Sequence, residues 1–196
     1  YFNTVLYTGT GSSRSVTGVN FQPDWTWWKV RNIGGNHALF DSVRGVGKYL
    51  LSNATNAEAT VGTSLTSFDS DGFTIGSNTA WNASGNTYAS WNWLASNTTA
   101  SNTVGDIPST VSVNTTSGFS VVSFTGTGVV ATIGHGLGDT PKFFIVKNRS
   151  AVGAWFTYTT VIDGSLDFLY LNTTEAKQDS GLSLPTSSVF SVNAST

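Results

Sequence analysis

Asp69 and Asp71 are the closest pair of carboxylates in the sequence, within Asp69-Ser70-Asp71-Gly72. Two carboxylates can act as the acid and base of a glycosidase, and they can also bind calcium. Side chains two residues apart point to the same side of an extended segment. The segment also has the composition of a polar turn before a strand that begins at Phe73. We expect a solvated turn without catalysis or metal, and we keep Asp69 and Asp71 as candidate ligand-binding residues.

Trp81 is the third candidate ligand-binding residue. It lies in the polar segment 80–86, among Asn, Ser and Gly residues. An exposed indole in such surroundings is typical of a sugar-binding platform, because the C–H faces of a pyranose stack on an aromatic ring. Alternatively, the indole folds back over an apolar edge of the domain or packs on a partner chain. The sequence leaves both interpretations open.

The other reactive groups form no recognisable constellation. His37 and His135 have no acid or nucleophile close to them in the sequence, and the loop from Asp163 to Asp167 lacks the ordered ligand spacing of a calcium-binding EF-hand. The chain contains no Cys, which excludes disulfides, thiolate nucleophiles and Cys-ligated zinc. We therefore predict no catalytic residues, no metal and no cofactor, and we expect that the chain is not an enzyme.

Composition excludes several classes of protein. Eleven acidic and nine basic residues give a net charge of −2, and charged residues are 10% of the chain, against about 25% in an average soluble domain. No Lys/Arg cluster is present, so nucleic acid is not an expected partner. No apolar run reaches the roughly 20 residues that a membrane-spanning helix needs, so no membrane insertion is expected. The chain has no Met, even at position 1, which indicates a processed product or a piece of a longer polypeptide.

The sequence contains an internal repeat. Residues 5–11 recur as residues 122–128 at an offset of 117, Pro23 recurs as Pro141 at an offset of 118, and Phe73 recurs as Phe190. Matches in the same order extend over about 70 residues, which indicates two homologous units. The turn that corresponds to Asp69–Asp71, at residues 186–188, has no acid.

Short apolar or alternating runs, separated by Gly, Asn, Asp and Ser, predict β-strands throughout. In the first unit these runs are Val5–Tyr7, Trp25–Arg31, Ala38–Val43, Lys48–Leu51, Phe73–Ile75 and Tyr88–Leu94. Only residues 55–59 and 174–178 could form a helical turn. The predicted fold is all-β, with two tandem antiparallel β-sandwich units at 1–95 and 109–196 and a polar linker at 96–108.

The second unit lacks a copy of the strand Tyr88–Ala95, so we expect it to be truncated. A β-sandwich without one of its strands exposes an unpaired edge. We expect the missing strand to come from residues beyond Thr196.

The run Trp25–Arg31 is apolar on both of its faces. Alternation places Trp25 and Trp27 on one face, and Trp28 and Val30 on the other. A strand of this kind is usually buried on both sides, so these residues are predicted to lie between sheets or between domains.

Motifs along nearly the whole chain resemble the repeat domains of large structural proteins of marine tailed bacteriophages. These motifs are, in the first unit, residues 7–11, 18–24, 28–31, 37–41, 43–45, 51–53, 71–73 and 85–91, and in the second unit, residues 133–138, 141–149 and 170–172. The resemblance implies concanavalin-A-like (jelly-roll) β-sandwiches in tandem within a tail fibre or another virion protein. It carries over no catalytic residues. Trp25-Thr26-Trp27 departs from the family, which more usually has aliphatic residues there.

The expected function is therefore non-enzymatic, as a surface-exposed or host-attachment segment of a phage particle. Expected partners are other virion proteins and copies of the same chain, with a host surface glycan as a further possibility. Many identical chains would present weak binding surfaces together, so that avidity compensates for modest affinity. The alternatives are a carbohydrate-binding or carbohydrate-active domain that uses Trp81 and Asp71, and a capsid decoration protein.

Overall fold

The computed structural model describes residues 1–194, so Ser195 and Thr196, the last two residues of the predicted second unit, lie outside the described residues. The fold is all-β with antiparallel sheets, as predicted. The strands are β1 (Phe2–Thr8), β2 (Arg14–Thr17), β3 (Trp25–Val30), β4 (His37–Asp41), β5 (Lys48–Leu51), β6 (Ala59–Thr60), β7 (Leu65–Asp69), β8 (Gly72–Ile75), β9 (Thr87–Trp93), β10 (Ala100–Asn102), β11 (Ser109–Asn114), β12 (Phe119–Phe124), β13 (Ala131–Gly134), β14 (Phe143–Lys147), β15 (Trp155–Thr159), β16 (Asp167–Tyr170), β17 (Gln178–Asp179) and β18 (Val189–Val192).

The first half is a sandwich of two sheets. One sheet has the order β1-β9-β3-β4-β5-β6, and the other has the order β2-β8-β7. Trp28, Phe40, Phe73 and Tyr88 are fully buried between them and form most of the core. Strand β9 lies in the middle of the larger sheet, because it pairs with β1 on one side and with β3 on the other.

The second half repeats four of the strand pairings of the first. Strand β14 pairs with β15 so that Phe143 faces Thr159, and in the first half Trp25 faces Asp41 in the same way, at an offset of 118. The pairs β15–β16, β16–β17 and β13–β18 likewise reproduce the registers of β4–β5, β5–β6 and β2–β8 at offsets of 117 to 119. Its core lies between the sheet β14-β15-β16-β17 and the pair β13-β18, around Ile133, Tyr158 and Phe190.

A third apolar cluster joins the two halves. Leu39, Leu50 and Trp155 are buried in it, and Trp25 and Trp27 pack against it from the outer face of β3. The inner face of β3, with Thr26, Trp28 and Val30, is buried in the first core. The prediction that this strand packs on both faces is therefore confirmed, and its outer face lies against the second half of the chain.

The stretch 96–108, which the sequence predicts as a linker, contains strand β10 and the buried residue Ile107. The fully buried carboxylate of Asp24 holds this stretch and the second half against the first. Its Oδ2 accepts hydrogen bonds from the backbone N–H groups of Ala95 at 2.7 Å and Asn97 at 3.1 Å. Its Oδ1 accepts one from Ser112 Oγ on β11 at 3.1 Å.

The predicted helical turns at 55–59 and 174–178 are wrong, because neither segment is helical. A helix does form at α1 (Thr79–Asn82), where the side chain of Asn78 caps the first turn by accepting a hydrogen bond from the backbone N–H of Ala80 at 2.9 Å. No helix among residues 1–194 has the length and apolar character needed to cross a lipid bilayer.

Candidate functional site

Trp81 lies in α1 with its ring inside the first core, and only 5% of the residue is exposed. The indole packs edge-on against Phe40, with ring centroids 6.5 Å apart, and against Tyr49 at 6.0 Å. The hydroxyl of Tyr7 donates a hydrogen bond to the backbone carbonyl of Trp81 at 2.9 Å. Of the two interpretations of Trp81, the structure therefore shows the indole folded into the domain, and it offers no ring face on which a sugar could stack.

Asp69 and Asp71 belong to the turn between β7 and β8, and each carboxylate holds the local fold. Asp69 accepts hydrogen bonds from the hydroxyls of Ser67 and Thr74, both at 2.7 Å. Asp71 accepts them from the backbone N–H groups of Gly18 at 3.1 Å and Asn20 at 2.6 Å. The two carboxylates thus serve different partners and are not brought together with Trp81 in one site.

The loop from Asp163 to Asp167 is closed by a lysine. The ammonium of Lys177 donates to Asp167 Oδ1 at 2.8 Å and also binds Asp163. Hydrogen bonds from Lys177 and Ser165 hold the pKa of Asp163 well below its usual range. The two carboxylates that could have bound calcium are therefore paired with an ammonium group. In the first half, at an offset of 119, Arg44 corresponds to Asp163 and Glu58 corresponds to Lys177. Arg44 and Glu58 also form an ion pair, with the positions of the acid and the base exchanged.

A groove lies between β12 and β14, and we call it the strand groove. Its volume is about 1180 Å³, and its two walls are residues 118–129 and 141–150. Trp25, Leu39 and Leu50 of the first half line one side, and Phe190 and Val192 of the second core line the other. Apolar side chains therefore surround a groove with a strand edge along each wall.

An ion cluster contributes to the lining of the strand groove. Arg149, just after β14, binds Glu58 with two hydrogen bonds, Nε to Oε2 at 2.9 Å and Nη2 to Oε1 at 3.0 Å. Arg44 donates to Glu58 Oε2 at 3.2 Å and also pairs with Asp41. Burial raises the pKa of Glu58, but the hydrogen bonds and charges of Arg149 and Arg44 outweigh that effect and hold the pKa below its ordinary value.

Arg149 also reaches across the groove. Its Nη1 donates to the hydroxyl of Ser123 on β12 at 2.8 Å. The hydrogen bond with Glu58 raises the pKa of Arg149, so its charge is fixed. The first half thus positions this guanidinium, which links the two walls at one level of the groove.

His135 lines the strand groove from the second core. Its Nδ1 accepts a hydrogen bond from the backbone N–H of Leu137 at 3.1 Å, so the proton is on Nε2, which donates to the carbonyl of Thr186 at 3.2 Å. Burial lowers the pKa of His135, although the hydrogen bond to Thr186 acts in the opposite direction. The imidazole is neutral at pH 7 and acts as a loop support.

The strand groove supplies apolar walls and backbone hydrogen-bonding groups rather than reactive side chains. Within residues 1–194, no group of three or more His, Cys, Asp or Glu side chains is placed to hold a metal ion. The groove residues of β12 and β14 were not among the predicted site residues, although a missing strand and an unpaired edge were expected in the second unit. The signal that could have found them is the repeat itself, since both strands correspond to the neighbours of β9.

No curated protein and no solved structure matches the chain. The family described as Domain of unknown function (DUF7483) matches residues 1–196. The match covers the whole sequence, both halves of the repeat included, and the chain therefore belongs to the DUF7483 family.

Proposed function

We propose that the chain is a structural, surface-exposed segment of a tailed-bacteriophage virion protein, built from two related β-sandwich units in tandem. The supporting observation is that motifs resembling those phage repeat domains occupy corresponding places in both halves. Pro23 precedes β3 as Pro141 precedes β14, and the segment 8–11 follows β1 as 125–128 follows β12. The strand registers of the two halves agree as well.

The packing between the halves supports a mechanical role. The third apolar cluster, the buried Asp24 carboxylate and the Glu58–Arg149 ion pair all join residues that are far apart in the sequence. Since such contacts resist independent movement of the two halves, the segment forms a stiff block. A stiff block held by sheet pairing and core packing suits a protein that works in many copies on a particle surface.

The polar candidates favour assembly over hydrolysis. A glycosidase needs two carboxylates that face a common substrate, whereas Asp69 and Asp71 are each engaged by their own neighbours. The burial of Trp81 removes the residue on which a carbohydrate site depended. We therefore put assembly first, with other virion proteins and copies of the chain as the proposed partners.

Immunogold labelling of intact virions tests this proposal. Antibodies raised against residues 1–196 should decorate purified particles, and the position of the label distinguishes a tail fibre from a capsid decoration protein. Label found only in lysates of infected cells, and never on particles, would overturn the proposal. Tight binding of a glycan by the isolated chain, or release of sugar from one, would contradict a purely structural role.

A further inference from the structure

We propose that the strand groove accepts one additional antiparallel β-strand, supplied by a polypeptide segment outside residues 1–194 that has the side-chain pattern of β9. Such a strand would fill the second sandwich in the same way whether or not the chain belongs to a virion. The occupant would form backbone hydrogen bonds to β12 and β14 at once, which is a known mode of peptide recognition by sheet edges.

The first half shows what such a groove contains when it is filled. There, β9 pairs along β1 from Phe2↔Trp93 to Thr8↔Thr87, and along β3 from Trp25↔Trp93 to Val30↔Tyr88. Strand β12 corresponds to β1, and β14 corresponds to β3. In the second half, β12 pairs with β11 and β14 pairs with β15, and among residues 1–194 no strand pairs with their facing edges.

The exposure of the groove walls fits an unfilled strand position. Every residue of β12 is partly exposed, on both faces of the strand. Phe143, the first residue of β14, is 57% exposed, although it corresponds to a tryptophan that packs against β9 in the first half. A groove of about 1180 Å³ with aromatic walls is thus open where the first half is packed.

The register assigns a face to each side chain of the occupant. The position that corresponds to Tyr88 lies beside Phe124, and the position that corresponds to Ser90 lies between Val122 and Val146. The position that corresponds to Asn92 lies beside Phe144. All four flanking residues pack on the second core. These positions therefore point into that core. The positions that correspond to Ala89, Trp91 and Trp93 point to the other side, toward the outer faces of the two halves.

The bond between Arg149 and Ser123 adds a constraint on size. By the same register, Ser123 flanks the position that corresponds to Ala89, on the side of the groove where Arg149 binds Glu58. A side chain at this level meets the guanidinium. The occupant therefore needs a small residue there, as β9 has in Ala89.

Two corresponding glycines show the same contrast between the halves. A Cβ on Gly9 would lie 2.2 Å from the carbonyl oxygen of Ala83, in the segment that leads to β9, whereas a Cβ on Gly126 would meet no atom within 4 Å. The backbone N–H of Gly9 donates to the carbonyl of Asn86 at 2.8 Å. The space beside Gly126 is thus the place where the segment leading to the occupant would lie.

A synthetic peptide with the sequence of residues 86–94 tests the proposal on the chain 1–196. Isothermal titration calorimetry should show one peptide bound per chain. Hydrogen-exchange mass spectrometry should show about tenfold slower exchange of backbone amides in both 119–125 and 143–148, and unchanged exchange in β2 and β8. Absence of binding, protection of a single edge, or self-association of the chain that protects both edges and excludes the peptide would overturn the proposal.

Two variants of the peptide and two of the chain keep the test specific. The same peptide with S90P should not bind, because proline removes a ladder N–H and clashes within a central strand. The peptide with A89W should bind at least about tenfold more weakly, because the larger side chain meets Arg149. In the chain, Val122→Glu should abolish binding while Val161→Glu, at an exposed position outside the groove, should not, with exchange of β13 and β18 confirming that both variants are folded. Equal binding across these variants would contradict the assigned register.

Discussion

Glu58 and Arg149 form a bidentate ion pair across 91 residues of sequence, with N–O distances of 2.9 and 3.0 Å. The two residues are also joined through their backbones, since the N–H of Glu58 donates a hydrogen bond to the carbonyl of Arg149 at 2.9 Å. Nearby, the indole N–H of Trp155 donates to the carbonyls of Leu51 at 2.8 Å and Ala54 at 3.1 Å. The segment between β5 and β6 is therefore the principal polar contact of the first half with the second.

Glu58→Gln should lower the free energy of unfolding by about 1–3 kcal/mol, because it leaves Arg44 buried with a weaker partner. Urea denaturation of the purified chain measures this change. Glu175→Gln, at an exposed glutamate, is the control and should change the free energy of unfolding by less than about 0.5 kcal/mol. Equal effects of the two substitutions would show that the ion cluster does not hold the halves together.

The same carboxylate should make stability depend on pH. Glu58 has a pKa below its ordinary value of 4.5 in the folded chain, because Arg149 and Arg44 outweigh the effect of burial. Its contribution is therefore complete above pH 4.5 and is lost as the pH falls below that value through the folded-state pKa. Between pH 7 and pH 3, the free energy of unfolding should fall more steeply for the wild-type chain than for Glu58→Gln. Parallel curves would contradict the assignment.

Trp81→Ala should lower the free energy of unfolding by about 3–5 kcal/mol, because it opens a cavity beside Phe40 and Tyr49. Val152→Ala, at a residue that is 74% exposed, is the control and should have little effect. Thermal unfolding measured by circular dichroism compares the two. A stable Trp81→Ala chain that had lost binding to a glycan array would instead restore the sugar-platform interpretation.

Gly9→Ala and Gly126→Ala are one substitution made at corresponding places in the two halves. Gly9→Ala should lower the free energy of unfolding by about 1–3 kcal/mol, since the new methyl group collides with the backbone at Ala83. The second meets open space and should leave the free energy of unfolding unchanged within about 0.5 kcal/mol. Denaturant titrations of both variants check this. A large loss from Gly126→Ala would show that the space beside that residue is filled in the isolated chain.

His135 and His37 should both titrate below pH 6.5. Burial lowers the pKa of each imidazole, and Lys29 lowers the pKa of His37 further. Protonation of Nδ1 in His135 would remove the acceptor of the hydrogen bond from the Leu137 N–H. We therefore expect this nitrogen to stay unprotonated until the pH falls below 6.5. Two-dimensional NMR of the ring protons follows both residues, since the chain has only these two histidines. A pKa above 6.5 for His135 would contradict the dominant effect of burial.

Six of the nine strands of the first half were predictable because alternation and turn residues are local signals, whereas β2, β6 and β7 were not among the predicted runs. The apolar runs around Trp28 and Tyr88 became β3 and β9 within about a residue of the predicted ends. Helix α1 was missed because four residues are too few to show a 3.6-residue period. Its start signal, Asn78 as an N-cap, is visible in the sequence but is not specific where Asn is so common.

The candidate site was less predictable because burial depends on contacts that are distant in sequence. Trp81 looks exposed among polar neighbours, yet its ring enters the core through Phe40 and Tyr49. The outer face of β3 was expected to be buried, but nothing local shows that Trp155 would meet it. The strand groove arises from two strand edges that come together only in the folded chain.

The reversed polarity of the Arg44–Glu58 and Asp163–Lys177 pairs bears on how a chain with two similar halves avoids misfolding. Homologous neighbours can exchange equivalent segments during folding and become trapped. If the segment that carries Lys177 docked in the first half, its ammonium would face the guanidinium of Arg44. If the segment that carries Glu58 docked in the second half, its carboxylate would face that of Asp163. Each exchanged arrangement brings like charges together, whereas each native arrangement pairs opposite ones. The charges of the two ion pairs therefore favour the native arrangement of each segment over the exchanged one.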